Sequence, residues 1–122
     1  MMFQHSEFKS RFSEEKRFAE SQMILKSYPD RLPIICERGK FCSKSIPKLD
    51  KIKYLLPHDL TVGQFVYVIR KRMKVCPSQA IFLLTHNSII SNTETIDSVY
   101  RKYCDEGDNF LYFFYISENV FG

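Results

Sequence analysis

The sequence predicts one α+β domain that spans residues 1–122, and three observations support this fold class. A chain of 122 residues is long enough for one compact domain and too short for two. Hydrophobic residues make up 44% of it, which favours a packed core over disorder. Segments with helix caps and a helical apolar period alternate with short β-prone runs, so both helices and strands are expected.

Two helices are predicted at the N-terminal end. Phe8 and Phe12 lie four positions apart, which fits a short helix over residues 6–12. Ser13 is suited to cap a second helix, because its hydroxyl can accept a backbone hydrogen bond from the first turn. Pro29 ends that helix, since proline disfavours a helical conformation of the residue before it. Along the second helix, apolar side chains recur near a heptad at Phe18, Leu25 and Tyr28.

The first two strands are predicted on either side of a polar loop. Residues 32–37 (LPIICE) form a short β-prone run, and residues 50–56 form a second one that ends at Pro57. Residues 39–45 between them are polar and basic, as is typical of a hairpin loop. The pair therefore predicts two antiparallel strands.

The remaining elements alternate between helix and strand. Thr61 and Gln64 form a capping box, which marks the start of a helix. Residues 80–84 predict a buried strand, residues 95–104 a short helix, and residues 109–116 a strand that is apolar on both faces. The helix that follows Thr61 carries an apolar stripe at helical spacing, formed by Val62, Phe65, Val66, Ile69 and Met73.

The predicted order is α-α-β-β-α-β-α-β. Because the last strand is the most apolar, we expect it in the middle of the sheet, beside the first strand. This is the ubiquitin-like β-grasp arrangement with two additional N-terminal helices. The helical extension covers about residues 1–28 and the β-grasp core about residues 31–116. Residues 117–122 are expected to form a flexible C-terminal tail.

Charge and composition narrow the possible functions. The net charge of +4 is compatible with acidic peptides, anionic lipid or nucleic acid. No apolar run approaches the roughly 20 residues of a membrane span, and the N-terminus has no signal sequence, so a soluble cytoplasmic protein is expected. No zinc-binding spacing, catalytic constellation or cofactor motif is visible, so we expect neither an enzyme nor a cofactor. The four cysteines are interpreted as reduced structural thiols: Cys36, Cys42, Cys76 and Cys104.

The second strand and its flanks combine positive charge with apolar side chains. Lys51 and Lys53 stand beside Tyr54 and Leu55 in a strand that we expect at the sheet edge. Such a surface suits the capture of a short peptide with acidic flanks. Ordinary core packing is the alternative explanation for the apolar residues, and it is strongest for Phe65, on the helix stripe.

Several motifs in this order resemble the autophagy ubiquitin-like modifiers, the family of autophagy-related protein eight, which includes the GABA(A)-receptor-associated protein. The similarity runs from about Phe8 to Gly122. The motifs that carry it are YPDRLP (28–33), LDKIKYLLP (49–57), DLTVGQFVYVIRKR (59–72), FLY (110–112) and ENVFG (118–122).

The resemblance implies a modifier that is conjugated through its C-terminal glycine, Gly122. Activating and conjugating enzymes would pass the glycine through thioesters to phosphatidylethanolamine, and a cysteine protease would process or delipidate the protein. Lipidated protein on autophagosome membranes would recruit adaptors and cargo receptors. These partners present an aromatic residue followed three positions later by an aliphatic one, often with acidic flanks.

The resemblance also implies a peptide groove with two pockets. The aromatic pocket is expected to involve Glu20, Ile24, Pro33, Lys51, Leu55 and Phe110. The aliphatic pocket is expected to involve Tyr54, Leu56, Pro57, Leu60, Phe65 and Val68. The charged residues expected to attract acidic flanks are Arg31, Lys51, Lys53 and Arg72.

Other interpretations remain open at this point. A ubiquitin-like interaction domain that is never conjugated would explain the groove equally well. A nucleic-acid binder is disfavoured, because acidic residues are spread among the basic ones and no base-stacking motif is visible. The basic cluster around Arg70 and Arg72 fits either a solvated helix end or a contact with acidic partners. Ile52, Leu56 and Val68 depart from the common family pattern, which bears on peptide preference.

Overall fold

The computed structural model describes residues 4–40 and 42–117. Helices and strands alternate along them much as the sequence predicts. In chain order they are α1 (Glu7–Arg11), α2 (Glu14–Ser27), β1 (Arg31–Arg38), β2 (Lys53–Pro57), α3 (Val62–Met73), β3 (Ile81–Thr85), β4 (Ser88–Ile89), α4 (Ile96–Tyr103) and β5 (Leu111–Ser117).

The strands form one mixed sheet in the order β2-β1-β5-β3-β4. β1 is antiparallel to β2 and parallel to β5, while β3 is antiparallel to both β5 and β4. The prediction that the last strand lies mid-sheet beside the first is confirmed. This topology, with α1 and α2 ahead of β1, is the ubiquitin-like β-grasp fold with two additional helices.

Each helix begins where a hydroxyl side chain satisfies the backbone of its first turn. The N-caps are Ser6, Ser13, Thr61 and Thr95. The capping box predicted for α3 is present: the N–H of Gln64 donates to Thr61 Oγ1 at 3.1 Å, and the N–H of Thr61 donates to Gln64 Oε1 at 2.9 Å.

The core lies on both faces of the sheet. On one face α3 packs its predicted stripe, with Phe65 and Ile69 fully buried, against Ile34 and Phe113 of the sheet. On the other face a smaller cluster beneath α1 and α2 contains Phe8, Ile24, Ile35 and Phe110. Because both faces are covered, every residue of β5 is buried, as its apolar sequence predicts.

The buried face of α2 differs from the apolar heptad in the sequence. Phe18 and Tyr28 are exposed, while Arg17, Ser21 and Ile24 face the sheet. The polar side chains can be buried because their hydrogen bonds are satisfied there. The hydroxyl of Ser21 donates to the backbone oxygen of Asp108 at 2.5 Å, and the Arg17 guanidinium donates to the Asp108 carboxylate.

Two predicted boundaries need correction, and one strand was not predicted. β2 begins at Lys53 and not at residue 50, so the connection after β1 covers residues 39–52 and is longer than the predicted loop. Ser117, assigned to the tail, is the last residue of β5 and is fully buried. The sequence did not predict β4, a two-residue strand. It pairs with β3 across a tight turn in which His86 and Asn87 both have positive φ.

Candidate peptide-binding site

β2 has one strand neighbour within the described residues, β1, so its other side is an edge of the sheet. The N–H of Cys36 donates to the oxygen of Ile52 at 2.8 Å, which makes those two residues a hydrogen-bonded pair. Hydrogen-bonded and non-hydrogen-bonded pairs alternate in an antiparallel ladder. The backbone N–H and C=O groups of Lys53 and Leu55 therefore point outwards, away from β1. Pro33, which lies opposite Leu55, has no N–H, and this non-hydrogen-bonded pair does not require one.

One of these outward groups already has a partner. Arg31 donates from Nη1 to the backbone oxygen of Leu55 at 3.2 Å. The guanidinium is exposed, so an incoming backbone N–H can replace it at little cost. Arg31 thus lies on the open edge of β2, where its positive charge is available.

The face of β2 that points towards α2 carries Lys53 and Leu55. Leu55 is half-buried and packs on the small core cluster that contains Ile24 and Phe110. Glu20 of α2 forms an ion pair with the Lys53 ammonium. An ion pair and a half-buried apolar side chain therefore lie side by side between α2 and the edge strand.

Some residues expected in the aromatic pocket lie deeper than a surface groove. Phe110 is fully buried and Ile24 is 5% exposed, while Pro33 is buried within β1. Because all three are buried, they do not line an open surface. Direct contact between them and a peptide remains a prediction.

The opposite face of β2 packs towards α3. Tyr54 and Leu56 belong to the main core, and the ring of Tyr54 meets Phe65 edge-on at 5.1 Å. Tyr54 is only 5% exposed, which corrects the expectation that it is a surface side chain. At the surface of this face lie the exposed Val68 and the half-buried Leu60. The half-buried Pro57, at the end of β2, instead lies beside Pro29 and Asp30, which corrects its expected place in the aliphatic pocket.

Tyr54 also fixes the chain just before β2. Its hydroxyl donates to the backbone oxygen of Lys51 at 2.7 Å, and the Lys51 ammonium lies 5.2 Å from the centre of the Tyr54 ring. Burial raises the pKa of the Tyr54 hydroxyl, so this donor remains protonated. The exposed Lys51 is thereby held at the entrance to the edge strand.

The predicted basic residues are not equally available. Arg72 donates from Nη2 to both carboxylate oxygens of Asp50 at 3.0 Å, so much of its charge is neutralised. Arg70 donates to the backbone oxygens of Cys76 and Gln79 and holds the loop after α3. These contacts favour a structural role for Arg70, while Lys51 is left as an exposed positive charge beside the edge strand.

The described residues contain no group of three or more His, Cys, Asp or Glu side chains placed to hold a metal ion. Burial raises the pKa of the Cys36 thiol, which opposes formation of a thiolate. Within the same residues, no helix is long and apolar enough to cross a bilayer. Gly122, the predicted site of lipidation, lies outside the described residues.

Two features of this region were missed in the sequence. The ion pair between Glu20 and Lys53 joins residues 33 positions apart, so no local pattern reveals it. Glu37 is 7% exposed and points to the α1 side of the sheet. The acidic residue that ends the apolar run LPIICE is the feature of the sequence that indicates a buried carboxyl group here.

A β-grasp sheet with an open edge strand and two preceding helices defines a ubiquitin-like protein. A family model described as "Autophagy protein Atg8 ubiquitin like" matches residues 16–122, and the chain belongs to this Atg8 family. The family resemblance found in the sequence is thereby confirmed.

Known proteins of several lineages support this assignment. Autophagy-related protein 8 of Mycosarcoma maydis is 49% identical over 117 residues, which cover 96% of this chain and 97% of that protein. The Schizosaccharomyces pombe protein of the same name is 50% identical, with 96% and 94% covered. The crystal structure of Trypanosoma brucei ATG8 matches with a TM-score of 0.86 and 38% identity, over 93% of this chain and 96% of that one.

Proposed function

We propose that this protein is a membrane-conjugated modifier that recruits partners to autophagic membranes through the edge of β2. The observation that carries this proposal is the outward-facing backbone of Lys53 and Leu55. A peptide can add there as a further strand, gaining backbone hydrogen bonds while its side chains enter the two faces. The proposed unit is a single ubiquitin-like domain over residues 1–122 that is not an enzyme.

The two faces of β2 account for the spacing of the proposed peptide motif. Successive side chains of a strand point to opposite faces, so residues three positions apart also do. An aromatic side chain on the α2 face, near Lys53 and Leu55, puts the aliphatic one on the α3 face, near Leu60 and Val68. Since the first contacts lie nearer the start of β2, the peptide runs parallel to it.

Acidic flanks on such a peptide complement the charge at the start of the groove. Lys51 is exposed there, and Lys53 can exchange its bond to Glu20 for one to the peptide. Exposed pairs of this kind contribute little to affinity, but they speed association and select partners. Arg31 can contribute similarly once the peptide occupies the Leu55 oxygen.

For the membrane step, membership of the Atg8 family, whose model matches as far as Gly122, supports conjugation of that glycine to phosphatidylethanolamine by activating and conjugating enzymes. Each buried lipid methylene contributes about 0.8 kcal/mol, and two acyl chains anchor stably where one anchors only marginally. The protein is then cytoplasmic until conjugated and afterwards bound to the autophagosome membrane. A cysteine protease that processes or delipidates it completes the proposed set of partners.

The groove is tested by titrating labelled protein with an acidic peptide that contains an aromatic-x-x-aliphatic motif. Saturable NMR shifts at residues 51–56, with micromolar affinity of about −8 kcal/mol, are expected. A scrambled peptide of the same composition is the control. Absence of shifts at millimolar peptide overturns the groove, and so does unchanged affinity in a folded double variant, Lys51→Ala with Leu55→Ala.

Conjugation is tested separately with Gly122→Ala. This variant is expected to bind the peptide normally but to be absent from membranes when expressed in cells, and mass spectrometry of the wild-type C-terminus should show the lipid amide. An unlipidated wild-type C-terminus would instead support the alternative, a ubiquitin-like interaction domain that is never conjugated.

A further inference from the structure

One end of the sheet brings several segments together at the point where the C-terminal residues begin. β5 ends there at Ser117, which pairs with Ile81, the first residue of β3. The connection after β1 lies against the same end, because the N–H of Ser43 donates to Ser117 Oγ at 3.2 Å. Residues 118–122, which lead to Gly122, start from this point.

Three lysines surround this end of the sheet. The connection after β1 and the end of α3 face each other across an open cleft of about 400 Å³, with Lys44 on one side and Lys74 on the other. Lys40 lies beside the end of β5, because the preceding residue, Gly39, donates its N–H to the oxygen of Tyr115 at 2.8 Å. We refer to Lys40, Lys44 and Lys74 as the tail-end lysines.

The charge of the tail-end lysines is not neutralised by neighbours. All three are exposed, and none forms an ion pair in the part of the chain that the structure describes. Residues 38–49 and 60–93, which supply them, contain no Asp or Glu, and residues 118–122 add only Glu118. The dipole of α3 accounts for a cation at Lys74 but not for the two lysines in the connection after β1.

We propose that the tail-end lysines bind the headgroups of an anionic lipid bilayer, so that the conjugated protein stands on the membrane with this end down. The proposed conjugation of Gly122 underlies this inference. Residues 118–122 span at most about 17 Å when fully extended, so an anchor at Gly122 keeps the lysines near the lipid surface. Electrostatic attraction acts over about 8 Å at physiological salt, so the lysines decide whether this end rests on the surface or stays off it.

This orientation leaves the proposed peptide groove accessible. β1 and β5 are parallel, so Arg31, at the start of β1, lies at the end of the sheet far from Ser117. β2 is antiparallel to β1 and pairs its last residue, Pro57, with Arg31. The open edge of β2 therefore runs away from the bilayer, where an incoming peptide can reach it.

The test uses the full chain with a single tetradecyl chain attached chemically through an amide at Gly122. One such chain anchors a protein only marginally, so a second contribution can be measured as partition between solution and vesicles. Vesicles of phosphatidylcholine are compared with vesicles of an equimolar mixture of phosphatidylcholine and phosphatidylserine. Each lysine beside an anionic surface strengthens binding about fivefold, so Lys44→Gln with Lys74→Gln should weaken binding to the mixed vesicles about 25-fold. Binding to phosphatidylcholine alone should not change.

The matched control is Lys16→Gln with Lys26→Gln, which removes the same charge from exposed positions of α2. α2 leads into the start of β1, so Lys26 lies at the end of the sheet away from Ser117. We expect this control to weaken binding less than about twofold, because its charges are more than a screening length from the surface. Equal losses in the two double variants would mean that binding follows net charge, and equal binding of the wild type to both kinds of vesicle would mean that the lysines do not bind lipid. Either result overturns the inference.

A second double variant guards against a folding defect. Lys74 ends α3 with a φ of 55°, whereas Lys40→Gln with Lys44→Gln leaves α3 unchanged and should also weaken binding about 25-fold. Thermal unfolding shows which variants are folded, and unchanged partition of the folded ones overturns the inference. Because the alkyl chain is attached chemically, this outcome is independent of lipidation in cells. An unlipidated C-terminus in cells would overturn the proposed conjugation instead.

Discussion

Pro33 of β1 lies directly opposite Leu55 of the edge strand β2, in a pair that exchanges no backbone hydrogen bonds. A proline is tolerated there because the ladder between the two strands needs no N–H from that position. The same geometry turns the N–H and C=O of Leu55 towards the open edge. One pairing therefore explains both how the proline fits inside the sheet and where a peptide strand can dock.

Replacement of Leu55 by proline tests whether the outward N–H is used. Leu55→Pro removes no hydrogen bond to β1, so the sheet should remain folded. Leu55→Ala is the matched control, because it removes the side chain and keeps the N–H. We expect the proline variant to bind the aromatic-x-x-aliphatic peptide about five- to tenfold more weakly than the alanine variant, from one lost hydrogen bond and a steric clash. Equal calorimetric affinities would show that the edge is not the docking strand.

The ion pair between Glu20 and Lys53 makes a prediction about selectivity. Glu20→Gln releases the Lys53 ammonium, which is then available to an acidic flank. We expect affinity for an acidic peptide to rise about two- to fivefold at low salt and the gain to shrink at high salt, because these groups are partly exposed and screened. A neutral-flank peptide and the exposed Glu15→Gln variant are the controls. Weaker binding of the acidic peptide to Glu20→Gln would mean that Glu20 contacts the peptide directly.

Much of the fold could be predicted because its signals are local. The capping box at Thr61 and Gln64 and the stripe through Phe65 need only a few consecutive residues, and both appear as expected. The central position of β5 follows from its apolar residues on both faces. The two-residue β4 could not be found this way, since its turn depends on positive φ at His86 and Asn87, where non-glycine residues are uncommon.

The candidate site was less predictable because burial there depends on distant partners. Tyr54 looked exposed beside two lysines, yet α3 covers it with Phe65 from 11 positions further along. Arg72 looked free to attract a peptide, but Asp50 binds it from 22 positions earlier. The edge position of β2 was correctly predicted. Which of its backbone groups point outwards follows from the strand register, and the register cannot be read from the sequence alone.

The contact between Arg17 and Asp108 should dominate the attachment of α2 to the sheet. Asp108 is fully buried, and its carboxylate accepts from Arg17, from the Tyr112 hydroxyl at 2.5 Å and from the Phe110 N–H at 2.8 Å. Arg17→Met leaves this carboxylate without its counter-charge, which costs about 3–5 kcal/mol for a buried pair. Urea unfolding measures the loss, with the exposed Lys16→Met as control. A loss below about 1 kcal/mol would show that Asp108 is satisfied without Arg17.

Asp105, which forms an ion pair with Lys9 of α1, predicts a pH dependence of the free energy of unfolding. Burial acts to raise the pKa of its carboxyl group, but hydrogen bonds from the Lys9 ammonium and from the N–H groups of Gly107 and Asp108 outweigh burial and lower it. A carboxyl whose pKa is lower in the folded state stabilises the protein above the unfolded value, near 3.9, and loses that contribution as the pH falls towards the folded value.

Asp105→Asn should therefore be less stable than the wild type at neutral pH, and the difference should shrink as the pH falls below about 4. Because Lys9 is partly exposed, we expect the pH-dependent part to be below about 1 kcal/mol. Urea unfolding from pH 7 to pH 3 measures it, and Asp30→Asn, at an exposed position, is the control. A difference that stays constant across this range would mean that Asp105 acts through hydrogen bonds that the Asn amide also loses, and not through its charge.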